Sequence, residues 1–217
     1  MTTVPFRTDA EAGAAIGRVT AHLRGGGLLA YPTETVYGLG SLARTADLAA
    51  LAGLKGRAAG KPFLLLVSDR QMAEAQGLAF NAAADALARA FWPGPLTLVL
   101  PGGGGRLPDG LRGPEGGIAV RWTAHALIAR LVAALGEPLT STSANLPGES
   151  PAPGAEAIVR DFAAPIAAGR LLVLDGGVLG NRPPSTVVDC TGQPARLVRA
   201  GALTQAELRA AVGRLAP

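Results

Sequence analysis

Among twenty cationic side chains only two are lysines, Lys55 and Lys61, and both fall in Lys55-Gly-Arg-Ala-Ala-Gly-Lys61. Lysine offers a compact, strongly hydrated point charge where arginine offers a planar fork. Two ammoniums flanking Arg57 on a glycine-punctuated segment suit a task that arginine does less well. Holding a polyphosphate beside a reacting amine or carboxylate is one such task. The segment lacks the spacing of a phosphate-binding P-loop, so any nucleotide would be held in another way.

Three further segments carry groups of the right chemistry. Tyr31-Pro-Thr-Glu-Thr-Val-Tyr-Gly-Leu-Gly40 presents Thr33, Glu34, Thr35 and Tyr37 in succession. Two hydroxyls and a carboxylate there can grip a small polar ligand such as an amino acid, or can cap glycine-containing bends; Gly38 and Gly40 permit close backbone approach. Leu139-Thr-Ser-Thr-Ser-Ala-Asn145 supplies Ser141, Thr142, Ser143 and Asn145, which can donate to phosphate oxygens without adding charge, or form an ordinary polar turn. Arg121, inside the strand-like Ala119-Val-Arg-Trp122, either faces solvent or needs an anionic partner, because an unpaired buried charge is costly. Ser185 and Arg199 again place polar groups at strand ends. His22 and His125 are the only histidines and have no companion for a triad or a metal site.

Alternating helix and strand patterns position these groups. Helices are expected over 10–23 with Asp9 as N-cap, 45–54 capped by Thr45 or Asp47, 81–92 with Asn81 as N-cap, 124–135, 155–168 and 204–215. The last opens on the capping-box spacing Thr204-Gln-Ala-Glu207. Strands are expected at 28–31, 63–67, 96–100, 118–122, 139–142, 171–174, 186–190 and 196–199. The unbroken apolar run 63–67 reads as buried on both faces. Residues 101–117, rich in Gly and Pro, read as a mobile surface loop. This order predicts an α/β layer structure: one domain over 1–217, core about 10–205, built on a mixed sheet.

Bulk properties exclude some classes. Hydrophobic residues make up 48% of the 217 and aromatics 4%, so the core is built from Ala, Leu and Val. One cysteine, Cys190, excludes an internal disulfide framework and reads as a buried strand residue. No apolar stretch approaches the roughly 18–20 residues that span a bilayer. The N-terminus lacks an apolar signal core. A soluble, cytoplasmic protein without membrane contact is the expectation. The charge of +4 permits nucleotides or RNA.

Taken together, the segments resemble the YrdC/TsaC family of threonylcarbamoyl-adenylate synthases over about residues 10–205. Pro32 to Gly40 resembles the family signature, Lys55-x-Arg57 its K-x-R pair and Ser143-x-Asn145 its S-x-N pair. Trp92-Pro-Gly-Pro-Leu-Thr97, Val120-Arg121, Ser185-Thr-Val-Val-Asp189 and Leu197-Val-Arg-Ala-Gly201 follow in the expected order. The similarity is to the short, single-domain branch, and Leu66 stands at about the position where many relatives carry a histidine.

The resemblance implies a twisted mixed sheet with flanking helices and a large positively charged cleft. It implies an ATP-dependent nucleotidyltransferase that joins L-threonine, bicarbonate or CO2, and ATP into threonylcarbamoyl-AMP and pyrophosphate, with Mg2+ on the phosphates. Partner proteins would then modify adenosine 37 of tRNA. Lys55 and Arg57 would be catalytic and, with Lys61, Ser143, Asn145 and Arg199, hold ATP. Thr33, Thr35, Arg121, Ser141 and Ser185 would hold threonine. The competing expectations are a paralogue that binds nucleotide, tRNA or double-stranded RNA without adenylate chemistry, and another carbamoyl transfer.

Overall fold

The computed structural model describes residues 3–56, 61–180 and 182–216. Its elements run β1 (Thr3–Pro5), α1 (Asp9–Arg24), β2 (Leu28–Tyr31), β3 (Gly38–Gly40), α2 (Thr45–Lys55), β4 (Leu64–Val67), α3 (Arg70–Ala75), α4 (Ala82–Phe91) and β5 (Leu96–Leu100). After these come β6 (Ile118–Trp122), α5 (Ala126–Leu135), β7 (Leu139–Ser143), α6 (Ala155–Asp161), α7 (Ala163–Ala167), β8 (Leu171–Asp175), β9 (Thr186–Asp189), β10 (Arg196–Arg199) and α8 (Gln205–Val212).

The strands form one mixed sheet in the order β1-β8-β2-β3-β7-β4-β6-β5-β9-β10. Four of its pairings are parallel (β1 with β8, β8 with β2, β4 with β6, β5 with β9) and the rest antiparallel. Strand alternation splits the core in two. Leu29, Tyr31, Leu66 and Leu139 pack with Val19 and Leu23 of α1 and Ile128 and Leu131 of α5. Their neighbours Leu28, Ala30, Leu65 and Val67 face the opposite layer, with Leu48 and Leu51 of α2, Leu87 of α4 and Ile158 of α6. The strand at 64–67 is thus buried on both faces, as its apolar run predicts.

Local chemistry corrects several sequence expectations. The first helix is capped by Thr8, not Asp9, in a capping box with Glu11. The helix at Thr45 has Arg44 as N-cap without a side-chain bond, and neither Thr45 nor Asp47 caps it. The helix expected over 155–168 breaks at Phe162. Pro165 lacks the N–H that a continuous helix would direct at Asp161. The 101–117 segment is no bare surface loop, because Leu107 and Leu111 are buried in the core. Strands β1 and β3 and helix α3 were not expected; β3 is three residues long and two of them are glycines. Cys190 is buried immediately after β9, and burial pushes its thiol up to about 12. Among the described residues no helix is long and apolar enough to cross a membrane.

Candidate functional site

A cavity of about 320 Å³ opens on the sheet face that carries α1 and α5, beyond the cover of either helix. Register explains its lining. Leu66 of β4 pairs with Arg121 of β6, and Val187 of β9 pairs with both Thr97 of β5 and Arg199 of β10. The antiparallel register of β5 and β6 places Thr97 opposite Arg121. Arg121, Thr97, Val187 and Arg199 therefore form one row across four strands, on one face. Ser141 of β7 pairs with Leu64, which lies on that same face.

The signature segment leaves β2 at Tyr31 and folds into a tight turn. Thr33 Oγ1 accepts from the N–H groups of Thr35 and Val36 at 3.2 Å and donates to the Val36 carbonyl at 2.7 Å. The chain then returns as β3 against β2 and β7. A Cβ at Gly40 would sit 1.9 Å from the Thr140 carbonyl oxygen, so only glycine fits. The close approach expected of this glycine is to the protein's own backbone. Tyr37 reaches the other way: its hydroxyl donates to the Gly177 carbonyl at 2.8 Å and accepts from Gly176 N–H at 2.9 Å.

Arg121 is 4% exposed and held on three sides. Its Nε donates to the Gly94 carbonyl at 3.1 Å and its Nη1 to Thr35 Oγ1 at 3.2 Å. Nη2 lies 2.5 Å from Glu34 Oε1 in an ion pair. Glu34 also accepts from Thr123 Oγ1 at 2.5 Å and Ala124 N–H at 3.1 Å. Burial opposes the Glu34 charge, but the Arg121 guanidinium and these donors outweigh it and hold the carboxyl below its ordinary range. The arginine that needed an anionic partner thus has one within the signature itself.

Arg199 stands at the mouth and donates from Nη2 to the Ser185 carbonyl at 2.8 Å and to Ser185 Oγ at 3.2 Å. Partial burial, then the nearby Arg121 guanidinium, push its pKa down from the usual arginine value. Two like charges thus converge on one cavity, the arrangement that an anionic ligand relieves. Gly201 lets this segment lie flat against β9, since a Cβ there would meet the Pro184 carbonyl oxygen at 2.3 Å.

The structure brings eight of the sequence-predicted residues to this cavity: Thr33, Thr35, Arg121, Ser141, Thr142, Ser143, Ser185 and Arg199. Lys55 does not line it. The Lys55 ammonium is buried at the end of α2 and donates to the carbonyls of Ser143 and Asn145, at 2.9 and 2.5 Å, and to Asn145 Oδ1 at 3.0 Å. It grips the segment that forms the wall. Asn145 turns its own amide inward, to the carbonyls of Leu146 and Glu149. Lys61 is exposed beside Pro62, which lines the cavity. Arg57 lies outside the described residues. Leu66 neighbours Arg121 but packs into the core with Ile128 and Leu139, outside the lining. His125 is the N-cap of α5, its Nδ1 accepting from Ile128 N–H at 3.4 Å.

The sequence marked Thr97 only as the end of the Trp92–Thr97 motif and gave it no site role; it lines the cavity and bonds Ser185 Oγ at 2.8 Å. A lone hydroxyl in the apolar run Leu96-Thr-Leu-Val-Leu100 was the available signal. Glu34 was visible in its segment, but nothing in the sequence paired it with Arg121.

Comparison with known proteins places the fold in a family. Residues 21–201 match the family Sua5_yciO_yrdC, described as telomere recombination. A threonylcarbamoyl-AMP synthase of Thiobacillus denitrificans is 41% identical over 198 residues, 90% of this chain and 100% of that protein. Pyrococcus abyssi Sua5 complexed with L-threonine superposes with a TM-score of 0.87 at 32% identity, covering 99% of this chain and 62% of that one. E. coli YciO superposes at 0.79 with 26% identity, covering 90% and 93%. The chain is a member of the Sua5/YciO/YrdC family.

Proposed function

We propose that the protein is an L-threonylcarbamoyl-AMP synthase serving tRNA modification. The observation that carries this reading is the row holding Arg121 and Arg199 above a cavity ringed by threonine and serine hydroxyls. The name and 41% identity of the Thiobacillus denitrificans relative support the activity, and the threonine complex of the Pyrococcus abyssi protein supports the substrate.

The chemistry needs positioning and charge neutralisation more than covalent help. Threonine's amine nitrogen bonds to the carbon of CO2 and loses a proton, giving a carbamate; from bicarbonate, that proton leaves with the displaced hydroxide as water. A carbamate oxygen then attacks the α-phosphorus of ATP. The bond to the bridging oxygen breaks, and pyrophosphate departs with the electron pair. Arg121 pairs with the threonine carboxylate, and Thr33, Thr35, Ser141 and Ser185 orient the amino acid. Ser143 and Arg199 meet the nucleotide, Lys55 and Asn145 set the Ser143 wall, and Arg57 and Lys61 add charge along the triphosphate. The lining described is hydroxyl and guanidinium, which suits Mg2+ arriving on the phosphates with its own waters. The threonylcarbamoyl group then passes to tRNA through partner proteins.

The test is pyrophosphate release from ATP by the purified protein, with each amino acid in turn and with or without bicarbonate. Release that requires both threonine and bicarbonate is expected. ATP binding without threonine-dependent release would instead favour a nucleotide-binding paralogue.

A further inference from the structure

Trp92-Pro-Gly-Pro-Leu-Thr97 has no role in the reading above, yet it touches both halves of the amino-acid site. The Gly94 carbonyl accepts from Arg121 Nε at 3.1 Å, and Gly94 N–H donates to the Trp122 carbonyl at 2.9 Å. The Pro95 carbonyl accepts from Thr186 N–H at 3.0 Å. Trp92 Nε1 donates across the turn to the Leu96 carbonyl at 2.8 Å, closing the segment on itself. Thr97, 1% exposed, then reaches Ser185 Oγ at 2.8 Å. One segment thereby aims Arg121 by a carbonyl and Ser185 by a hydroxyl.

The hydrogens at Ser185 can be counted. Its Oγ accepts from Arg199 Nη2, so one lone pair is taken. Thr97 and Ser185 share a single hydrogen bond, and either can donate it. Two hydroxyls own two hydrogens and use one between them. One hydrogen always remains, on whichever hydroxyl accepts. Both hydroxyls line the cavity, so the spare hydrogen is available to a ligand oxygen there. The Arg199 charge at one end of the chain polarises it toward donation.

We propose that Thr97 is a positioning residue for the amino-acid substrate. Its hydroxyl fixes the Ser185 rotor, so that the Arg199–Ser185–Thr97 chain presents one oriented hydrogen to the amino acid's carboxylate or side-chain oxygen. This rests on the synthase reading. Thr97 acts mainly through Ser185, and its place in the row keeps it on the amino-acid side, beside Arg121.

The experiment compares Thr97→Val, which keeps the branched strand-compatible shape, with Thr97→Ser, which keeps the hydroxyl. Threonine-dependent pyrophosphate release gives KM for threonine and ATP separately, and thermal unfolding checks the fold. Thr97→Val leaves the Ser185 hydrogen in place but frees its rotor, and is expected to raise the threonine KM by up to about tenfold, the scale of one hydrogen bond that loses its orientation. The ATP KM should stay within about twofold, and Thr97→Ser should recover most of the loss. A threonine KM unchanged in Thr97→Val overturns the proposal while leaving the synthase reading intact, and so does an equal rise in both KM values. Failure of Thr97→Ser to recover, at an unchanged unfolding midpoint, also overturns it. Wild-type protein with no threonine-dependent release overturns both.

Discussion

Glu34 and Arg121 decide the character of the site. Each is a charge that the fold could not bury alone, and each is the other's partner. Arg121→Ala should raise the threonine KM far more than the ATP KM; equal rises would remove Arg121 from the amino-acid site. Glu34→Gln should destabilise the fold by about 3 kcal/mol in urea titration, because it leaves a buried guanidinium uncompensated. A loss below about 1 kcal/mol would show that the Gly94 and Thr35 contacts suffice. The pH dependence has a definite sign. A carboxyl whose folded pKa is depressed adds stability above its ordinary value, near 4.5, and loses it as pH falls through the folded value. The gap between wild type and Glu34→Gln should therefore stay constant from pH 7 to about 4.5 and narrow below that.

Among the elements, β3 and its two glycines hold the signature turn against β7. Gly40→Ala drives a methyl into the Thr140 carbonyl at 1.9 Å, and the backbone cannot yield without breaking the β3–β7 pairing. Loss of soluble protein, or a fall in Tm of more than about 10 °C, is expected. Gly53 is the control. It is exposed in α2 with nothing within 4 Å of a built Cβ, so Gly53→Ala should stabilise by roughly 0.5–1 kcal/mol. The same comparison shows what sequence could reveal. Short apolar runs located β2, β4, β5 and β6 because burial enforces them. The Thr204 and Asn81 caps were legible because their bonds reach only three residues ahead. β3 was illegible because a glycine strand has no side-chain pattern. The Thr8 cap hid behind Asp9, an equally good capping residue one position later. The site residues announced themselves as polar groups at strand ends. Their pairings cross 86 to 89 residues of chain and were not readable, as with Thr35 to Arg121 and Glu34 to Thr123.

At the scale of the whole molecule, one sheet with a core on each face joins every segment that contributes to the cavity. No strand can leave without opening a ladder on both sides, except at the edges β1 and β10. Unfolding should therefore be a single cooperative transition, with calorimetric and van't Hoff enthalpies equal; two separated transitions would split the sheet into independent units. Threonine at about 100 times its Kd should add about 2.7 kcal/mol, read as a rise in Tm. Arg121→Ala should abolish that rise at the same concentration. A rise that persists in the variant would place the amino acid elsewhere.

The row from Arg121 to Arg199 also works as a gauge. Its ends are three strand spacings apart, about 14 Å between backbones, a distance set by hydrogen-bond length and not by any side chain. The two arginines can lean toward each other but cannot be moved apart or together without rebuilding the ladder. A ligand that spans both arginines lies over what stands between them, Thr97 and Val187. Between its charged ends the row carries two small residues, while the ends themselves stay anchored by the sheet.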